Sequence, residues 1–94
     1  MRIVGRERIS GFQKEYPDSV AALNRWIYIV EAAVWKNTVE VRATFGSADF
    51  VGGKVIFNVG GNKYRLIAAI SFETRILSVE AVLTHSEYDK GKWK

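Results

Sequence analysis

Two adjacent glycines, Gly60 and Gly61, stand between stretches of alternating apolar and polar residues, and no other feature limits the fold so sharply. Glycine tolerates the positive φ that two-residue hairpin turns of the primed type demand. Residues 54–59, 63–73 and 76–84 therefore read as a three-stranded antiparallel meander, turning at Gly60-Gly61 and again at Thr74-Arg75. In that register Phe57 lies opposite Tyr64, Val55 opposite Leu66, Ile56 opposite Arg65 and Asn58 opposite Lys63. Across the second turn Ile70 meets Val79, Ala68 meets Ala81 and Leu66 meets Leu83, which yields one apolar face to receive helices. The alternate residues Lys54, Asn58, Lys63, Arg65, Ser71, Ser78, Glu80 and Thr84 then form a free face, basic at one end. Slipping either turn by one residue would bury Arg65 beside Phe57 or Leu83, at a cost on the order of several kcal/mol for an unpaired charge.

The residues before the meander supply its cover. Residues 1–4 predict a short strand, and residues 6–16 a helix with Ile9, Phe12 and Tyr16 at helical spacing, ended by Pro17. Asp18 or Ser19 caps a second helix in which Val20, Leu23, Ile27, Val30 and Val34 recur with a period near 3.6. Trp26 and Trp35 read as core rather than as an RNA-stacking surface. Thr38-Val39-Glu40-Val41 alternates like a strand, yet Asn37 with Glu40 resembles a capping box, and the box favours a short helix. Residues 46–53 read as a loop from which Phe50 and Val51 pack back on the sheet. The expected architecture is α+β, an N-terminal strand and two helices packed on a C-terminal antiparallel meander. It forms a single domain over residues 1–94, with 90–94 read first as a frayed, solvated basic tail and second, because Lys90-Gly91-Lys92-Trp93-Lys94 interleaves cations with an aromatic, as a grip on a nucleic acid.

Ninety-four residues, 48% of them hydrophobic, suffice for one core and not for two. The absence of cysteine excludes disulfides and thiolate metal sites, and a lone histidine argues against zinc. No apolar run approaches the roughly 18 residues of a membrane span, and the N-terminus lacks a signal-peptide core, so the expectation is a cytoplasmic protein. A net charge of +4 favours a polyanionic partner mildly, and an acidic protein would satisfy it as well. That single histidine, His85, falls where the last strand ends, in Leu83-Thr84-His85-Ser86-Glu87-Tyr88-Asp89. With an unperturbed pKa of about 6.5, it can take and give protons near neutrality.

Phe57-Asn58-Val59-Gly60-Gly61-Asn62-Lys63-Tyr64-Arg65-Leu66-Ile67, followed by the segment from Leu83 through Lys90, resembles the HigB-type toxins of bacterial toxin–antitoxin pairs, within the RelE/ParE superfamily. The likeness extends over nearly the whole chain. It implies a RelE-like fold and a small ribonuclease that cuts messenger RNA, usually on the translating ribosome. It further implies silencing by a helix-turn-helix antitoxin of the HigA kind, with operator DNA bound only through the toxin–antitoxin complex and no membrane partner. No metal or other cofactor is called for, because the 2′-hydroxyl of RNA is an internal nucleophile already close to the phosphorus.

Such cleavage needs a base, an acid, cations for the phosphate and something to splay the bases. The candidates are His85 for proton transfer, Arg65 as the phosphate clamp and Tyr88 for stacking or proton movement. Lys54, Asn58, Asn62 and Lys63 are the candidate RNA contacts. The resemblance favours a site at Asn62, Arg65, His85 and Tyr88, although such residues vary widely across the superfamily. Structural readings compete at each position. His85 could satisfy a strand end, Arg65 could pair with Glu80 or Glu87, Tyr88 could cover the sheet edge, and Asn62 belongs to the glycine turn. The alternative function is a gyrase poison of the ParE type, or a binding module without catalysis, neither of which requires His85.

Overall fold

The computed structural model describes residues 1–93. Strand β1 (Arg2–Val4) leads into helix α1 (Arg6–Glu15), and a 3₁₀ turn at Pro17–Ser19 redirects the chain into α2 (Val20–Ala32). A short helix α3 (Thr38–Thr44) precedes four strands, β2 (Asp49–Val51), β3 (Lys54–Val59), β4 (Tyr64–Ser71) and β5 (Ile76–Thr84), and then helix α4 (His85–Asp89). The strands form one sheet in the order β1-β5-β4-β3-β2. β1 runs parallel to β5, and every other neighbour pair is antiparallel. The α+β class and the meander hold, as does the capping-box helix, in which the Asn37 side chain accepts from the Glu40 amide. Residues 49–51, expected as loop, instead add an edge strand to β3.

Both predicted turns are wider than expected. Gly60, Gly61, Asn62 and Lys63 together connect β3 to β4, so Phe57 pairs with Leu66, Asn58 with Arg65 and Val59 with Tyr64. Both glycines take positive φ, and the Lys63 amide closes the loop on the Gly60 carbonyl. Phe72 to Arg75 connects β4 to β5, with Arg75 in the left-handed region at φ 62°, and Ile70 pairs with Leu77. Because each register moves by two residues near its turn, the side chains keep their predicted faces there. A bulge between Ile67 and Ala68 breaks that regularity. Beyond it Leu66 meets Val82, Arg65 meets Leu83 and Tyr64 meets Thr84, so Leu83 leaves the helix-side face and Thr84 joins it.

The helix-side core is organised around Phe57, 1% exposed, with Trp26 edge-on at 5.4 Å, Phe45 edge-on at 5.2 Å and Trp35 stacked at 6.4 Å. Both tryptophans are therefore core residues, as their spacing predicted. Helix α2 buries Leu23, Trp26 and Val30, while Val20 and Val34, expected in its apolar stripe, are exposed. The helix stops at Ala32, and the N-terminal amine occupies its last turn by donating to Val30 O at 3.0 Å and Ala33 O at 2.6 Å. Neither predicted cap acts as one: Ser19 Oγ donates to Tyr16 O at 2.6 Å, and Asp18 accepts from Tyr64. Gly5, with φ 89°, lets α1 begin directly against the β5 backbone at Val79.

Candidate functional site

The face expected to be free is covered. Ile56 and Ile67 are 2% exposed and Arg65 is 9% exposed, although all three lie on the side away from the main core. Over Arg65 lies the chain after β5, through Tyr88. Thr84 takes an extended conformation and caps α4, its hydroxyl accepting from the Glu87 amide while the Glu87 carboxylate accepts from the Thr84 amide. This reciprocal cap turns the chain from strand to helix at once, and the His85 amide is tied to Lys63 O at 3.0 Å. The polar ending that reads from sequence as a strand terminus is thus a helix seated beside the β3–β4 loop.

That helix brings three groups together. His85 Nδ1 lies 2.9 Å from Asp89 Oδ2 one turn along, and both side chains are about half exposed. The carboxylate is within hydrogen-bond reach of Nδ1, so Nε2 is the ring nitrogen left outside this pair. Tyr88 leans over Arg65, with the guanidinium carbon 5.4 Å from the ring centroid. Arg65 Nη1 donates to Asn62 O at 3.3 Å and Tyr64 O at 3.1 Å. Among the described residues these carbonyls are its only hydrogen-bond acceptors and no carboxylate pairs with it. Neither structural partner foreseen for it is available, since Glu80 pairs with Lys54 and Glu87 caps α4.

The remaining candidates divide. Asn62 meets the group through its backbone carbonyl, and Lys63 through its own carbonyl, while its ammonium reaches Asp18 at 3.1 Å. Lys54 is held by Glu80 on the same sheet face. Asn58 lines a separate cleft of about 310 Å³ between α2 and the glycine loop, with Arg25, Trp26 and Phe45. Sequence reasoning misses Asp89 and gives Trp93 only a lesser reading as a stacking aromatic. Asp89 was detectable as a carboxylate four residues after His85, had that segment been read as helix. Trp93, placed in a solvated tail, instead stacks on Tyr88 at 5.1 Å with the rings 10° from parallel. Lys94, the end of that tail, lies outside the described residues.

Next to the site, Tyr64 donates to Asp18 Oδ1 at 2.7 Å. This bond, with burial and the carboxylate charge behind it, pushes the phenol from 10.0 up to about 12. The same bond, then that from Lys63, holds Asp18 below the usual carboxylate value. Burial, then Glu15 and Glu87, raises the nearby Tyr16.

No helix among the described residues is long and apolar enough to cross a membrane. The messenger RNA interferase toxin HigB of Escherichia coli K12 is 27% identical over 92 residues, spanning 95% of this chain and 88% of that protein. The messenger RNA interferase HigB of Shigella flexneri matches to the same extent. A counterpart from Escherichia coli O6:H1 is 27% identical over 93 residues, 96% of this chain and 90% of its own. Residues 19–91, spanning everything from α2 through α4, match the family described as HigB toxin, the RelE-like toxic component of a toxin–antitoxin system. The chain belongs to the HigB toxin family.

Proposed function

We propose that this toxin is a metal-independent endoribonuclease that cleaves messenger RNA on the translating ribosome in the bacterial cytoplasm, and that a helix-turn-helix antitoxin silences it. The observation that carries the reading is the His85–Asp89 pair, a half-exposed imidazole whose Nδ1 is held by a carboxylate. The messenger RNA interferase activity named for relatives that match over most of the chain supports the substrate class.

In this reading, Nε2 of His85 takes the proton of the attacking 2′-hydroxyl. Oxygen attacks phosphorus in line, the bond to the 5′-oxygen breaks, and the products carry a 2′,3′-cyclic phosphate and a 5′-hydroxyl. Asp89 keeps the imidazole oriented and stabilises the imidazolium that forms. Tyr88 stacks on a base beside the scissile phosphate, and in this reading its hydroxyl gives the leaving 5′-oxygen its proton. Arg65 supports phosphate charge from beneath Tyr88, with the donors its two carbonyl bonds leave over. Asn62 and Lys63 flank the RNA strand at the loop, and Lys54 extends the track across the sheet.

The test is cell-free translation with purified protein, mapping messenger ends by primer extension with and without ribosomes and assaying the ends for 2′,3′-cyclic phosphate and 5′-hydroxyl. Ribosome-dependent cuts that carry these ends and vanish in His85→Ala are expected. Intact message with undisturbed translation would overturn the reading.

A further inference from the structure

Trp93 does more than cover the sheet. Its indole lies flat on Tyr88, and Nε1 donates to Tyr88 O at 3.0 Å, which fixes the ring in place. It also stands between two clefts. One, of about 350 Å³, is bordered by Ala81, Leu83, Glu87, Lys90 and Lys92, and the other, of about 180 Å³, by Val51, Gly52 and Lys54. Trp93 lines both. A planar aromatic stacked on tyrosine, with lysines bordering the space on either side, has the shape and charge setting of a nucleobase with its flanking phosphates.

We propose that Tyr88 is a nucleobase seat and that Trp93 fills it in the unliganded protein, so that a base of single-stranded RNA binds by displacing the indole. The inference rests on the reading of this toxin as an RNA-cleaving protein and names how that site is kept shut. Displacement joins the two clefts into one channel over the sheet, with Lys54 at one end and Lys90 and Lys92 at the other. The stack is sequence-tolerant, since every base offers a π-face, so the seat selects single strands rather than a particular base.

The fluorescence of the protein itself reports the event. Trp26 and Trp35 are 3% and 4% exposed, which leaves Trp93 as the indole accessible to acrylamide. The probe is a short 2′-O-methyl RNA oligonucleotide, labelled for anisotropy and lacking the nucleophilic hydroxyl. Saturating oligonucleotide is expected to increase acrylamide quenching of the wild-type protein. Trp93→Ala is expected to bind about two- to tenfold more tightly, the range set by loss of one aromatic pair, with Trp93→Phe near wild type. Tyr88→Ala should bind more weakly.

Reduced or unchanged quenching on binding, or weaker binding by Trp93→Ala, would overturn the proposal and leave RNA recognition intact. The quenching arm uses the unaltered protein, so it decides even where a variant folds poorly. Absence of binding by every protein, together with intact message in the translation assay, would remove both the seat and the ribonuclease reading.

Discussion

His85 and Asp89 form a unit whose parts fail differently. Replacing His85 by alanine removes the proposed proton carrier and is expected to lower cleavage by about 10²- to 10⁴-fold. Asp89→Asn retains a hydrogen-bond acceptor but not the charge, so the loss should be smaller and fall on the turnover rate rather than on RNA affinity. Both side chains are half exposed, and neither change should move the melting temperature by more than about 2 °C, an amount well under the effect of 1 kcal/mol in a domain of this size. Single-turnover rates and thermal melts of the two variants check this. The chemistry of His85 was legible because a lone histidine needs no structural context to be noticed. Its partner was hidden because the segment was read as a strand end, and the capping box Thr84–Glu87 that makes it a helix was not weighed. Arg65 was legible as important and illegible as buried, since alternation gives a residue's face but not what later folds over that face.

At the level of elements, the sequence pattern located every strand but β2 and, up to the bulge in β4, kept the faces while missing both registers. Hairpin register depends on loop length, and Gly60-Gly61 resembles a two-residue turn although the loop uses four residues. A shift by two leaves a residue's face unchanged, so the helix-side core was nonetheless foreseen. The bulge at Ile67/Ala68 has no sequence mark, and it is what sends Leu83 to the side of Arg65.

Two glycines distinguish crowding from conformation. A Cβ on Gly5 would lie 2.6 Å from Val79 O, and its φ is 89°, so Gly5→Ala is expected to cost about 3 kcal/mol or more. Gly61 has φ 69° but open space around it, and Gly61→Ala should cost about 1 kcal/mol. Urea unfolding midpoints of the pair test the ranking.

The bond between Tyr64 and Asp18 ties the 3₁₀ turn to β4 and gives stability a pH dependence of known sign. Asp18 is depressed, so its contribution is present above its ordinary value of 3.8 and is lost as pH falls through the lower native value. Tyr64 is raised, so its contribution is complete below 10.0 and is lost as pH rises towards about 12. The gap in melting temperature between wild type and Asp18→Asn should therefore be widest between these limits and shrink at both ends. Thermal melts across the range measure it.

Taken whole, the molecule depends on one ring. Phe57 contacts Trp26, Trp35 and Phe45, and its truncation to alanine should cost about 3–5 kcal/mol. Domains of this size hold only about 5–14 kcal/mol in total, so Phe57→Ala should lose about a fifth or more of its resistance to denaturant. The denaturation midpoint, read by circular dichroism, is the check. The site adds little to this sum, since its cationic and aromatic parts lie on the far side of the sheet.

The sheet order also sets when the protein comes into being. β5 sits between β1 and β4, yet it is translated after every other strand, so a chain grown as far as residue 75 holds a gap where its second strand belongs. β1 has no neighbour until that gap is filled, and α4 follows later still. Long-range pairing of this kind cannot begin early in synthesis. A half-made chain accordingly holds neither the completed sheet nor the helix that carries His85, Tyr88 and Asp89, and both come only after residue 75.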